Sequence, residues 1–89
     1  MTDTEAGAAV LGFFAGRGIE FPADEAAREG YEYLDTGALD SMGIVSMVME
    51  LEQRFGIRFE AEDMQSVEFR TIGGLISLIE RRRAGAGDV

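Results

Sequence analysis

Residues 34–55 read LDTGALDSMGIVSMVMELEQRF, and the fold turns on how this stretch is read. From Ser41 to Phe55 apolar side chains recur at helical spacing. Asp40 stands ahead of them as an acceptor for the first free amides, and Gly56 follows where a left-handed closing residue suits a helix end. At about 100° per residue, Ile44, Met47, Val48, Leu51 and Phe55 fall on one face, while Met42, Val45 and Met49 fall on another, centred roughly 135° away. One stripe serves the core of a small bundle. Methionine stripes are most often core, but a domain this small has little use for two, so the second is expected to be exposed, beginning beside Ser41, and to meet a partner.

Working outward, Asp3 and Thr4 offer a cap for a first helix in which Ala6, Ala9, Val10, Phe13 and Phe14 share a face, ending near Arg17 and Gly18. From Ile19 to Leu39 the periodicity is poor, and the stretch holds the single proline, Pro22. It reads as a long loop with room for a short helical stretch at Asp24 to Glu29. Such a loop is uncommon unless functional or pinned to the core, and Phe21, Tyr31, Tyr33 and Leu34 are the expected pins. Beyond the central helix, Ile57 and Phe59 return to the core, and Glu60 to Ser66 suit a short acidic helix. Thr71 caps a last helix with Ile72, Leu75, Ile76 and Ile79 on its buried face. The fold expected is all-α: a small antiparallel bundle of three main helices plus one short one, with a long connection between the first and second. Residues 1–83 form the domain, and 84–89 are expected as a disordered tail.

Composition narrows the chemistry. Among 89 residues there is no Cys, His, Trp or Lys, since all 8 basic residues are Arg. Disulfides, thiol nucleophiles, imidazole bases, the usual zinc ligands and lysine Schiff bases are thereby excluded. Carboxylates and Tyr hydroxyls remain, and these need a buried cleft to be tuned for acid–base work. The chain is therefore not expected to be an enzyme, nor to hold a metal. The net charge is -9, while Arg81, Arg82 and Arg83 sit together near the end, so the body is strongly acidic. Such a surface repels nucleic acid and anionic lipid and steers basic partners toward it. No apolar run is long enough to span a membrane and no signal peptide is evident, so a cytoplasmic monomer is expected.

The register around Ser41 resembles the acyl carrier protein family, including its peptidyl and D-alanyl carriers. The likeness rests on the Gly-containing loop, the Asp40-Ser41-Met42 triplet after Leu39, and the apolar positions Val45, Met47, Val48, Leu51 and Phe55. The segments Glu50-Leu51-Glu52, Phe55-Gly56-Ile57 and Thr71-Ile72 extend it, so that it runs from about Ala6 to Arg83. In that family the serine is esterified by 4'-phosphopantetheine, which a separate phosphopantetheinyl transferase takes from coenzyme A, and the arm's thiol carries cargo as a thioester. The resemblance makes Ser41 the attachment point and Asp40 part of what the transferase recognises. It also makes Met42, Val45, Met49 and Glu52 the partner face.

The physics of the position agrees. A phosphodiester at a helix start lies near free amides and the positive end of the dipole. Asp40 can serve as cap, and Ile44 stands where a capping box would need Glu or Gln, so the Ser41 hydroxyl is not needed for capping. The departures from the family's pattern are Met42, Gly43, Ser46, Gln53 and Arg54. They point away from fatty acid synthesis and toward stand-alone aminoacyl carriers or discrete carriers of specialised biosynthesis. The implied partners are an acyl- or aminoacyl-activating ligase and a downstream transferase or synthase. The rival expectation is a helical adaptor that binds a partner helix through the same stripe and carries no cofactor.

Overall fold

The computed structural model describes residues 2–86, which form helices and connecting turns with no strand among them. Helix α1 spans Glu5–Gly16, α2 Glu25–Glu29, α3 Ser41–Phe55, α4 Ala61–Met64 and α5 Ile72–Ala86, with a 3₁₀ turn at Val67–Arg70. The caps follow the sequence. The Gly7 amide donates to Thr4 Oγ1 at 3.1 Å, the Ala27 amide to Asp24 Oδ2 at 3.0 Å and the Gly74 amide to Thr71 Oγ1 at 3.0 Å. Gly56 closes α3 at φ 64°, where a side chain would be strained.

Contacts at the two ends of the bundle fix the helix directions. Arg83 pairs with Glu5 at 3.0 Å and lies over the Phe55 ring, so the start of α1 meets the ends of α3 and α5. At the opposite end Arg17 reaches the first turn of α3, and the Phe14 ring stands edge-on to Tyr33, which meets Phe69 just before α5. Helix α1 therefore runs against both later helices. Those two share a direction, because residues 56–71 carry the chain back along the bundle before α5 begins.

The core is built from the faces the periodicity marks. Val10, Phe14, Met47, Leu51, Ile72, Leu75, Ile76 and Ile79 are fully buried, and burial of this apolar area is the main favourable term in folding. The loop is pinned as expected. Tyr33 is fully buried and its hydroxyl donates to the Phe69 carbonyl, while Phe21, Tyr31 and Leu34 pack half-buried against the core. Burial pushes the Tyr33 phenol above its usual range, because the charged form would lose its hydration.

One expectation is corrected. The last helix continues to Ala86, so residues 84–86 are helical rather than tail, and residues 87–89 lie outside the described residues. The arginine run is also dispersed, because successive helical side chains point about 100° apart. Arg82 lies on the nearly buried Asp63 at 2.7 Å, Arg81 pairs with Glu68, and Arg83 pairs with Glu5. Each arginine ties α5 to a different segment. Close approach also dictates the glycine at position 74: a Cβ there would fall 2.0 Å from the Glu68 carbonyl oxygen, where the 3₁₀ turn lies against α5.

Candidate functional site

The site grows from the start of α3. Asp40 is extended (φ -83°, ψ -179°), and its Oδ1 accepts the Gly43 amide at 2.7 Å. Its carbonyl accepts the Ile44 amide at 2.9 Å. Asp40 thus performs the capping, and the Ser41 and Met42 amides keep no partner among the described residues, as the first turn of a helix dictates. Ser41 is exposed, and its hydroxyl makes no hydrogen bond among the described residues. A serine that only caps would be bonded to its own helix. This one stands at the positive end of a 15-residue helix with its oxygen open to solvent.

Gly43 has a packing reason. A Cβ at this position would lie 3.1 Å from Leu39 Cδ2, 3.2 Å from Asp40 Oδ1 and 3.4 Å from Arg17 Nη2. The glycine lets the cap, the loop and the end of α1 converge on one turn. Arg17 stacks 5.3 Å from the Phe13 ring centre and borders an open cleft of about 280 Å³, whose other walls are Ile19 and residues 37–40.

The two stripes of α3 separate as their angles require. Met47 and Leu51 are fully buried, with Ile44, Val48 and Phe55 packed against the core, whereas Met42, Val45 and Met49 are 70%, 51% and 62% exposed. This open apolar stripe starts one residue after Ser41. Glu52 is placed less simply than its position suggests. It is half-buried, and its Oε2 accepts the Phe59 amide at 2.8 Å, which ties α3 to the returning chain. Glu50 is exposed across the helix, beside Gly12, Phe13 and Arg17. Helical spacing already set Glu52 beside the exposed stripe and Glu50 away from it, but the bond to Phe59 forms only because the chain returns after the turn at Gly56.

Sequence reasoning also passed over a polar cluster at the amino end. The Thr2 amide and hydroxyl both donate to Glu25 Oε1, and Arg28 donates to Thr2 Oγ1 and to the Pro22 carbonyl. The bonds from Thr2 draw the Glu25 carboxyl down to about 2. The cluster holds the start of α1 to α2. It lies apart from Ser41 in the sequence and touches none of the residues assigned to the site.

The described residues form an all-helical bundle with a bare serine at the head of an amphipathic helix. Comparison with known proteins gives the class. Residues 32–79, more than half of the chain, match the family described as a phosphopantetheine attachment site. An acyl carrier protein of Thermotoga maritima is 35% identical over 48 residues, which cover 54% of this chain and 56% of that protein. The chain thus matches only about half the length of this relative. No solved structure matches the chain. The chain belongs to the phosphopantetheine-binding acyl carrier protein family. Its cofactor is covalently attached 4'-phosphopantetheine. Membership favours a carrier over the cofactor-free adaptor. Among the described residues no helix is long and apolar enough to cross a membrane.

Proposed function

We propose that Ser41 is the attachment point of the phosphopantetheine arm and that the chain is a cytoplasmic carrier of an acyl or aminoacyl thioester in specialised biosynthesis. The observation that carries the assignment is the Ser41 hydroxyl, exposed and without a hydrogen bond inside the matched stretch, while Asp40 does the capping. When bound, the arm supplies the thiol that this chain lacks. The protein's own contribution is positional. The unpartnered first-turn amides of α3 and its dipole favour the phosphodiester charge, and the cleft beside Asp40 leaves room for a transferase to approach. Met42, Val45 and Met49 form the face on which the transferase, an activating ligase and a downstream transferase or synthase dock in turn. Glu52 borders that face and offers its second carboxylate oxygen to a basic partner. Contacts of this kind are small and short-lived, as a carrier that must leave after each transfer requires.

The departures from the family's usual pattern, at Met42, Gly43, Ser46, Gln53 and Arg54, support a cargo outside fatty acid synthesis. Incubation with coenzyme A and a broad phosphopantetheinyl transferase, followed by intact mass and peptide mapping, tests the site. One arm should appear on the peptide containing Ser41 and vanish in Ser41→Ala. Retention of the arm in that variant would place the attachment elsewhere.

A further inference from the structure

The chain has no cysteine, so its oxidisable sulfur lies in 5 methionines. The fold separates them by access. Met47 is fully buried in the core that also holds Leu51, Leu75 and Ile76. Met42 and Met49 are 70% and 62% exposed, and Met64 on α4 is exposed as well. An oxidant must reach the sulfur of a thioether, so accessibility decides which methionines react.

Met42 and Met49 also share a place. Seven residues make nearly two turns of α3, which sets both on one face with Val45 between them. This stripe is apolar and starts beside Ser41, and two of its three members carry sulfur. When hydrogen peroxide meets a thioether, the sulfur lone pair attacks one oxygen, the O–O bond breaks, an S–O bond forms and water leaves. The sulfur loses two electrons and the peroxide gains them. Peroxide is uncharged, so the net charge of -9 does not repel it. The sulfoxide produced is polar where the thioether was apolar, and a partner that buries it must strip its water.

Resting on the reading of this stripe as a docking face, we infer that Met42 and Met49 are sites of reversible oxidation by peroxide, whose sulfoxides weaken docking while the bundle stays folded. The fold survives because Met47, the methionine that packs in the core, is out of reach. Methionine sulfoxide reductases, one for each epimer at sulfur, reverse the step.

Use of the full chain before the arm is attached keeps the arm's own thiol out of the experiment. Limited treatment with hydrogen peroxide, followed by peptide mapping, should find sulfoxide at Met42 and Met49 and none at Met47, with the urea midpoint unchanged. The oxidised chain should then accept the arm from coenzyme A and a broad transferase at least about fivefold more slowly, the scale of loss when an important interface residue is spoiled. Reductase treatment should restore the rate. Met42→Leu/Met49→Leu, which keeps Met47 and Met64, should lose none of its own starting rate on the same exposure to peroxide. The inference is overturned by sulfoxide at Met47 alongside the other two, by Met42 and Met49 resisting oxidation, or by an equal loss in the leucine variant. Met42→Gln/Met49→Gln separates it from the reading beneath. If that polar variant accepts the arm as fast as the parent, the stripe is not a docking face for the transferase and the inference falls with it. If the polar variant is slow and the oxidised chain is not, the docking face stands and the oxidation inference alone fails.

Discussion

Met47 and Met49 are the same residue type two positions apart in one helix, and they test the division of α3 into a core face and a docking face. Met47 is fully buried while Met49 is 62% exposed. Truncation to Ala changes helix propensity equally at both sites, so that term cancels from the comparison. Met47→Ala removes a buried side chain and leaves a cavity between α3 and the core, at a cost of about 2 to 5 kcal/mol. A typical stability of ~0.05–0.15 kcal/mol per residue makes this a large fraction of the total for a chain of this size. With a urea m-value of about 1–3 kcal/mol/M, a loss of about 3 kcal/mol lowers the midpoint by roughly 1–3 M. Met49→Ala should stay within about 0.5 kcal/mol of the parent and should slow transfer of cargo to a partner enzyme. Urea titrations followed by circular dichroism measure the first quantity, and a reconstituted transfer reaction measures the second. Equal loss of stability in the two variants would refute the division of the helix into two faces.

Further outcomes follow from the same geometry. Asp40→Ala should cost about 1 kcal/mol through loss of the cap and lower the rate of arm attachment, whereas Ser41→Ala should leave the urea midpoint unchanged because its hydroxyl makes no bond among the described residues. Gly12→Ala, whose added Cβ meets nothing within 4 Å, should stabilise α1 by about 0.5–1 kcal/mol. Gly74→Ala should instead destabilise by roughly 1–3 kcal/mol, because its Cβ collides with the Glu68 backbone; thermal melts that gave both changes the same sign would contradict this packing. The bonds from Thr2 lower the Glu25 carboxyl to about 2 from its usual 4.5. A depressed carboxyl contributes stability in full above its unfolded value and loses it as pH falls through its folded value. The stability gap between the parent and Thr2→Ala should therefore be constant above about pH 5 and close between about pH 4.5 and 2; a gap that widened on acidification would exclude Glu25 as its source.

The helices, their caps and the two faces of α3 were legible in the sequence because each depends on neighbours within about four residues, where side-chain spacing and cap chemistry act directly. Ser41 was marked by the resemblance of its register to the carrier family, with which the adjacent Asp40 cap agrees. What the sequence could not supply are contacts between segments far apart. Helical position sets Glu52 beside the exposed stripe, but that its carboxylate is bound to the Phe59 amide depends on the chain folding back. The run of Arg81, Arg82 and Arg83 reads as a basic cluster, yet helical geometry aims each at a different acid, and α5 extends past it to Ala86. Gly74 reads as a weak point in a helix, whereas the tertiary structure requires it because the Glu68 carbonyl leaves no room for a side chain. Local periodicity thus determined which residues form the elements and which face of α3 is buried. The packing of distant segments decided which charges are committed to the fold, because those pairings depend on how the chain returns in space.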